Sequence, residues 1–228
     1  MGCAAVIVAS GSSRRMGFDK LAAEIHGKSV LAHTVDAFMR ATGISRVIVV
    51  CPEDRFRLLE NEIHTKPLER VEGGENRQDS VANGLAALGA EDMLVAVHDG
   101  ARPLVRPEAI DECIEAARKY GAATLAHAVA DTLKKADDEG FSRYPVDRAN
   151  LWAMGTPQIF RTSLLRRAYA GIIERQTIVT DEVSVVEAMG ISTKLVVSNF
   201  PNPKITVPAD IALATALLAQ GIEGDDLK

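Results

Sequence analysis

Short apolar runs at residues 4–9, 46–51 and 93–97 alternate with segments whose apolar residues recur at helical spacing. Each run has the length and the β-branched content expected of a strand that is buried on both faces. Between them, 29–41 and a segment that starts at Asn76 carry apolar residues three or four positions apart, which predicts helices with one buried face. Strands that alternate with such helices predict βαβ units and a mostly parallel sheet with right-handed crossovers.

Polar and conformationally special residues predict where the helices begin and end. Ser29 can cap the first helix, which we expect to run to about residue 41 and to end at Gly43. Another helix begins at Pro107, a residue favoured in the first turn, and closes at Gly121. A short helix is predicted from about 53 to 62.

The pattern changes after Ala122. Residues 125–134 predict a long extended segment, 137–140 a turn, and 141–146 a strand that runs back. A pair of strands like this buries too little apolar surface to hold one conformation alone. We therefore interpret about 125–150 as a β-arm that lies against a partner subunit.

The last third of the chain returns to the main body. Its predicted elements are a strand at 152–160, a helix near 164–170, a helix beginning at Thr180-Asp181-Glu182, strands at 194–197 and 204–207, and a final helix from Pro208. Together with the first half, they predict one domain over 1–228. Its fold class is α/β, a mostly parallel sheet flanked by helices, with a protruding β-arm.

The composition of the chain limits which classes of partner we expect it to bind. The formal charge of −5 argues against nucleic acid or an anionic membrane as the main partner, and a few clustered cations suit small phosphorylated ligands better. Cys3, Cys51 and Cys113 lie in or beside apolar segments without C-x-x-C spacing, as buried reduced thiols do. With no export signal or membrane-length apolar run in the sequence, we expect a cytoplasmic protein.

The loop after the first strand is a candidate phosphate site. Ser10-Gly11-Ser12-Ser13 are small residues whose backbone N–H groups can approach a ligand, and Arg14, Arg15 and Lys20 follow. The spacing matches neither the dinucleotide fingerprint nor the P-loop. A solvated basic loop is the alternative interpretation.

Two further polar clusters also follow predicted strands. Asp99, in the sequence HDGARP, is placed to hold Mg²⁺ on a nucleotide, unless it only caps its turn and pairs with Arg102. In the turn that begins with Gly73-Gly74, Ser80 could read the edge of a base and Arg77 could brace the loop. A tight turn with an N-cap would use the same residues. The histidines make no metal-ligand spacing and no nucleophile signature is present, so covalent catalysis is unsupported.

Eight motifs occur in one order along nearly the whole chain. They are Gly11…Arg14-Arg15-Met16-Gly17…Lys20, GGENRQDSVANGL from Gly73 to Leu85, HDGARP, Asp131-Thr132-Leu133-Lys134, Val146-Asp147-Arg148, Leu151-Trp152 with Thr156-Pro157-Gln158, Thr180-Asp181-Glu182, and Asn202-Pro203-Lys204-Ile205-Thr206. Each motif is weak alone. In this order they resemble the 2-C-methyl-D-erythritol 4-phosphate cytidylyltransferases of the non-mevalonate isoprenoid pathway.

The resemblance implies a Rossmann-like domain, a homodimer that exchanges β-arms, CTP as nucleotide and Mg²⁺ as cofactor. It implies roles for individual residues in three groups. Arg15 and Lys20 would grip the CTP phosphates, and Asp99 would bind Mg²⁺. The backbone of Ala9, Ser10 and Gly11, with Gly74 and Ser80, would hold cytosine. The acceptor side would be lined by Arg102, Thr156, Thr180 and Lys204, with Thr132 and Arg148 from the partner's arm.

The chain departs from the family pattern at three places. Asp19-Lys20-Leu21 stands where Pro-Lys-Gln is usual, after a shorter loop of the kind also found in molybdenum-cofactor nucleotidyltransferases. Gly155 replaces a larger polar residue, and Ser10 replaces alanine, so that its hydroxyl is expected to reach the nucleotide. Two alternatives stay open at this point: the same chemistry on ribitol 5-phosphate, and a non-catalytic nucleotide-binding protein of the same fold.

Overall fold

The computed structural model describes residues 2–11, 17–175 and 177–225. Its strands, in chain order, are β1 (Cys3–Val8), β2 (Glu24–Ile25), β3 (Lys28–Ser29), β4 (Ile44–Val50), β5 (Leu68–Val71), β6 (Leu94–Asp99), β7 (Ala122–Ala128), β8 (Leu133–Ala136), β9 (Ser142–Val146), β10 (Trp152–Arg161) and β11 (Lys194–Val197). Its helices are α1 (Val30–Arg40), α2 (Glu53–Phe56), α3 (Arg77–Ala86), α4 (Pro107–Tyr120), α5 (Thr162–Glu174), α6 (Glu182–Glu187) and α7 (Pro208–Asp225).

Seven strands form the central sheet, in the order β11-β7-β10-β6-β1-β4-β5. β10 is antiparallel to both of its neighbours, and the other pairs are parallel. The predicted α/β architecture with a mostly parallel sheet is therefore confirmed. Because β10 runs in the opposite direction, its first residues lie at the edge where the parallel strands end.

Helices cover both faces of the sheet because successive residues of the buried strands face opposite sides. On β1, Ala5 and Ile7 belong to the apolar cluster that also contains residues of α1 and α4. Ala4 and Val6 belong to the second cluster, which contains residues of α3, α5 and α6. The interpretation of the first apolar run as a strand buried on both faces is confirmed.

Local capping signals predicted several helix ends correctly. The Ser29 hydroxyl accepts a hydrogen bond from the Ala32 N–H at 3.1 Å, and Gly121 closes α4 with a φ of 87°. α1 ends at Arg40 with Ala41 as its C-cap, so the predicted end near residue 41 is confirmed, but Gly43 does not cap the helix. Gly43 instead lies against α4, where a Cβ would stand 2.9 Å from Ile114.

Two other predicted elements are shorter or absent. The helix predicted over 53–62 is one turn of α-helix, α2, followed by a 3₁₀ turn at Arg57–Leu59. The strand predicted at 204–207 is not formed. Ile205 donates its N–H to the Ala101 carbonyl at 2.8 Å, so this segment is fixed beside the end of β6 without joining the sheet.

The β-arm is real, but its predicted start was wrong. The extended segment predicted over 125–134 is divided, because β7 is a strand of the central sheet that ends at Ala128. β8 and β9 then form a separate hairpin, and every residue of β9 is exposed. Leu125 is fully buried whereas the hairpin carries exposed Phe141 and Tyr144, so burial divides the two parts.

Candidate functional site

A cavity of about 590 Å³ opens beyond the carboxyl ends of β1 and β6. Parallel α/β sheets bind ligands at this edge. The cavity walls include many of the residues predicted from sequence, namely Ala9, Ser10, Gly11, Lys20, Gly74, Arg77, Ser80, Asp99 and Lys204. Strand ends and loops distant in sequence are therefore brought together as predicted.

Small residues are required where β1 meets the Gly73-Gly74 turn. The Ser10 hydroxyl donates to the Val50 carbonyl at 2.9 Å, and a Cβ on Gly73 would stand 2.1 Å from the Ser10 Oγ. A Cβ on Gly74 would stand 2.2 Å from the Cβ of Asp79. The Ser10 hydrogen is directed to the protein, so this hydroxyl can offer only lone pairs to the cavity.

The second glycine-rich turn is held by its own side chains. The Asn76 side chain caps α3 by accepting from the Asp79 N–H at 3.0 Å. The Ser80 hydroxyl accepts from the Gly74 N–H at 3.1 Å and donates to the Asn76 carbonyl at 2.9 Å. The turn-and-cap interpretation is thus confirmed, and the turn it builds forms one wall of the cavity.

Arg55, which sequence reasoning missed, holds both ends of the phosphate-site loop. Its Nε donates to Asp19 Oδ2 at 2.9 Å and its Nη1 to the Gly11 carbonyl at 3.2 Å, and Nη1 also donates to the Ala9 carbonyl. Its side chain is only 10% exposed. The Asp19 that stands in place of the family's proline is therefore part of an ion pair that joins it, through Arg55, to the residues just after β1.

Lys20 and Lys204 reach the same cavity from different segments. Lys20 Nζ donates to the Ile205 carbonyl at 2.7 Å, and Lys204 Nζ lies 3.0 Å from Asp99 Oδ2. Arg15, predicted to act with Lys20, lies outside the described residues. The two lysines give the cavity positive charge where a polyphosphate would need it.

Asp99 is surrounded by cations. Besides Lys204, Arg77 Nε lies 3.2 Å from its Oδ1 and Arg102 Nε lies 3.4 Å from its Oδ2. Burial alone would raise its pKa, but the charges of Arg77, Lys204 and Arg102 hold the pKa well below the usual range of a carboxyl. The carboxylate is therefore ionised at neutral pH. The predicted pairing with Arg102 exists, as one of three such contacts.

The carboxylate fits a phosphate-bound divalent cation better than a metal cage. Within the described ranges, no group of three or more His, Cys, Asp or Glu side chains could enclose a metal ion. Mg²⁺ is commonly held by one or two carboxylates together with phosphate oxygens and water. Asp99 can supply the one ionised oxygen ligand that this arrangement requires.

The predicted acceptor-side residues are only partly assembled. Thr156 is buried, and its hydroxyl accepts from the Asp99 N–H at 3.2 Å. Arg102 Nη1 donates to the Asn202 carbonyl at 2.8 Å. Thr180 is exposed just before α6. Gly155 lies close to β7, where a Cβ would stand 3.1 Å from the Leu125 carbonyl oxygen.

Thr132 and Arg148 lie on the exposed arm and do not line the cavity. The Arg148 guanidinium donates to the Ala130 carbonyl, a contact within the arm. Within the chain, the arm residues are thus not brought to the site that the family resemblance assigns them.

His98 contacts two residues of the site through its ring nitrogens. Its Nε2 contacts the Arg102 carbonyl at 3.3 Å and its Nδ1 the Thr156 hydroxyl at 3.0 Å. Because a carbonyl only accepts, the hydrogen is assigned to Nε2, and Nδ1 accepts from Thr156. Burial lowers the pKa of His98 to about 3, so the ring is neutral and positions Thr156. His98 therefore packs against Phe38 and also positions Thr156.

Sequence reasoning also missed the partner of Arg77. Arg77 Nη1 and Nη2 bind the Glu182 carboxylate at 2.7 and 2.9 Å, and the Glu182 side chain is fully buried. The sequence signal for it is the motif Thr180-Asp181-Glu182, which predicts the start of a helix and gives Glu182 no role of its own.

Among the described residues, no helix has both the length and the apolar character needed to cross a lipid bilayer.

Comparison with known proteins identifies the family. The family model described as IspD, 2-C-methyl-D-erythritol 4-phosphate cytidylyltransferase, matches residues 3–220. A relative of that name from Caldanaerobacter subterraneus subsp. tengcongensis is 41% identical, covering 96% of this chain and 99% of its own. Another from Geobacillus kaustophilus is 39% identical, covering 94% and 96%.

Two solved structures that resemble this chain belong to the same family of enzymes. The 4-diphosphocytidyl-2C-methyl-D-erythritol synthase of Anaerococcus prevotii superposes with a TM-score of 0.83 at 31% identity, covering 96% of both chains. The 2-C-methyl-D-erythritol 4-phosphate cytidylyltransferase of Thermus thermophilus gives 0.79 at 33% identity, covering 95% of this chain and 98% of its own. The predicted Rossmann-like fold is thereby confirmed. A family model that matches residues 3–220, together with these relatives, shows that this chain belongs to the 2-C-methyl-D-erythritol 4-phosphate cytidylyltransferase family.

Proposed function

We propose that the protein transfers CMP from CTP to 2-C-methyl-D-erythritol 4-phosphate and releases pyrophosphate. The observation that carries this proposal is the cavity at the carboxyl ends of β1 and β6, in which Lys20, Lys204 and the ionised Asp99 meet the two small-residue turns. Membership of the family supports the identity of both substrates. The names of the relatives favour this acceptor over ribitol 5-phosphate.

The reaction joins two anions, so its main requirement is positive charge in fixed positions. An oxygen of the acceptor phosphate attacks the α-phosphorus of CTP, and the bond from that phosphorus to the bridging oxygen breaks. The bond electrons leave with pyrophosphate, so neither oxidation nor a covalent enzyme intermediate is involved. Lys20, joined by Arg15 according to the family resemblance, would stabilise the charge that develops on the phosphoryl oxygens.

The remaining residues hold the substrates. The backbone of Ala9, Ser10 and Gly11, with the Gly74 turn and Ser80, forms the wall on which we place the cytosine. Lys204 would bridge the two substrates because it contacts Asp99 and lines the same cavity.

The same proposal includes Mg²⁺, with Asp99 as the protein ligand that would hold it. When bound, the ion would neutralise triphosphate charge and help pyrophosphate to leave. Arg102, Thr156 and Thr180 would face the acceptor, Thr156 being held by His98 as described above.

Measurement of pyrophosphate release decides between the open alternatives. We expect release from CTP that depends on 2-C-methyl-D-erythritol 4-phosphate, with a matching nucleotide–polyol product by mass spectrometry. Faster release with ribitol 5-phosphate would overturn the acceptor assignment. Tight CTP binding without release for either acceptor would mean a non-catalytic nucleotide-binding protein.

We further propose that the protein is a homodimer and that each arm completes the partner's active site. The arm supports this because it carries exposed Phe141 and Tyr144 and holds Thr132 and Arg148 away from the cavity of its own chain. In the partner's site, Arg148 could bind the acceptor phosphate through two parallel hydrogen bonds.

Subunit mixing tests the exchanged arm. Arg148→Ala alone should raise the KM for the polyol phosphate much more than the KM for CTP. Mixing Arg148→Ala with Lys20→Ala subunits leaves one site of each mixed dimer intact, so about a quarter of the wild-type sites should return. No recovery after verified subunit exchange would mean that Arg148 acts within its own chain or not at all.

The cytoplasm is the compartment that we propose. Cys3, Cys51 and Cys113 are free and buried, and burial raises the pKa of the Cys51 thiol to about 12. Buried, protonated thiols that are not paired in disulfides fit a reducing compartment.

A further inference from the structure

Glu182 is a fully buried carboxylate whose main partner lines the nucleotide cavity. As the first residue of α6, it binds Arg77 through two parallel hydrogen bonds of 2.7 and 2.9 Å. The Tyr169 hydroxyl donates to the same carboxylate at 3.0 Å. A charge removed from water this completely needs such partners, because an unpaired buried charge is strongly destabilising.

The backbone that carries Glu182 is fixed as tightly as its side chain. Gln158, on β10, accepts at its Oε1 from the N–H groups of Glu182 and Val183 at 2.9 and 3.0 Å. Its Nε2 donates to Asp181, the N-cap of α6, at 3.1 Å. The start of α6 is thus tied to the central sheet, so the Glu182 carboxylate has one well-defined position.

This position determines what Arg77 can offer to Asp99. A guanidinium is planar, so the two hydrogen bonds to Glu182 fix the plane of the Arg77 side chain and leave Nε directed at Asp99. Nε lies 3.2 Å from Asp99 Oδ1. Without Glu182, Arg77 could rotate and give Asp99 a second donor in addition to Nε, which would leave fewer lone pairs of the carboxylate for a cation.

The charge balance around Asp99 also depends on Glu182. Arg77, Arg102 and Lys204 face Asp99, and Glu182 is the second carboxylate of the group. Arg77 therefore balances two carboxylates rather than one. If Glu182 became neutral, the full charge of Arg77 would act on Asp99 and weaken its attraction for a further cation.

We propose that Glu182 is a positioning residue of the active site, which acts through Arg77 to keep Asp99 oriented and negative enough to bind a cation–triphosphate complex. This inference rests on the proposed function, since it takes Asp99 as a ligand of the substrate complex. Glu182 itself does not line the cavity. Its expected effect is therefore indirect.

The test compares Glu182→Gln, which removes the charge but keeps the shape, with Tyr169→Phe. Tyr169→Phe is the control: it removes a neutral hydrogen bond to the Glu182 carboxylate and leaves the charges of Glu182 and Arg77 in place. Mn²⁺ binding in the presence of CTP, followed by electron paramagnetic resonance, is measured together with kcat and both KM values. In Glu182→Gln we expect Mn²⁺ affinity and kcat/KM to fall by about 10-fold or more, as when a residue behind a metal ligand is removed. Tyr169→Phe should stay near wild type in both.

A purely structural role would lower the thermal stability of Glu182→Gln but leave Mn²⁺ affinity, kcat and KM unchanged in the folded enzyme. That result would overturn the proposal. If Glu182→Gln does not fold, Glu182→Asp decides, because it keeps the charge and is too short for the two-point contact. Reduced Mn²⁺ affinity in Glu182→Asp supports positioning, and wild-type affinity overturns it.

Failure of the proposed function gives a different result. Wild-type protein that binds Mn²⁺ with CTP but releases no pyrophosphate contradicts the activity. The binding comparison between wild type and Glu182→Gln still decides the role of Glu182. Wild-type protein that does not bind the complex overturns both.

Discussion

The buried imidazole of His98 makes a quantitative prediction about stability and pH. Its ring packs 4.9 Å from the ring of Phe38, and both nitrogens contact the protein, through Thr156 and Arg102. Burial lowers the pKa of His98 from 6.5 to about 3. Between these two values the unfolded chain binds a proton that the folded protein excludes, so stability is complete above pH 6.5 and is lost as the pH falls.

The size of the effect follows from the same two pKa values. At pH 5, protonation of the unfolded state lowers the free energy of unfolding by about 2 kcal/mol through this one group. By pH 3 the loss reaches about 4 kcal/mol. The first value can be measured, since urea unfolding remains practical at pH 5.

The assay is urea unfolding of wild type and His98→Gln at pH 7 and pH 5. Glutamine can still donate to Arg102 and accept from Thr156, but it does not titrate. We expect His98→Gln to be less stable at pH 7 and to lose about 2 kcal/mol less than wild type on the way to pH 5. His127→Gln, at an exposed position of β7, is the matched control and should keep the wild-type slope. Equal losses in wild type and His98→Gln would refute the argument.

Three further changes test the site. Asp99→Asn should abolish Mg²⁺-dependent turnover and lower the free energy of unfolding by about 3 kcal/mol, because three cations then face one another around an amide; an unchanged Mg²⁺ requirement in pyrophosphate release would favour a mere turn cap. Lys20→Ala should reduce kcat by about 100-fold or more while the melting temperature stays near wild type, and near-normal turnover would contradict its role at the phosphates. Arg55→Met should lower kcat/KM for CTP by about 10-fold, since it releases both ends of the loop. Asp19→Asn in the Arg55→Met background should then add little, and additive losses would show that the ion pair does not act as one unit.

The elements that could be predicted from sequence are those set by local pattern. The continuous apolar run of β1 and the capping by Ser29 depend on neighbours a few residues away, so the sequence alone contains the whole signal. The position of Asp99 and Lys20 in one cavity could be predicted, because polar residues that follow buried parallel strands meet at one edge of the sheet.

The missed features depend on partners far along the chain. Arg77 and Glu182 are 105 residues apart, and nothing local distinguishes Glu182 from a solvated acid at the start of a helix. Arg55 likewise resembles an exposed residue of a short helix, although it reaches back to Asp19 and Gly11.

The boundary errors have a related cause. The sequence over 125–134 favours an extended backbone, but this preference does not distinguish a strand that pairs within the sheet from one that leaves it. In the structure, pairing with β10 continues to Ala128, and the arm follows. At 204–207, hydrogen bonds from the Ile205 N–H to the Ala101 carbonyl and from Lys20 to the Ile205 carbonyl hold a segment that joins no strand of the sheet.

The reversed direction of β10 has a consequence for how such enzymes can diversify. The chain leaves β7 at Ala128 and enters β10 at Trp152, and these two residues are paired with each other. Everything between them is an insertion with both ends anchored at the catalytic edge. Its length and sequence can therefore change without moving the register of any sheet strand. If the arm contacts the acceptor as proposed above, acceptor contacts can change in 129–151 while the nucleotide cavity stays the same, which makes this segment suitable for exchange between relatives.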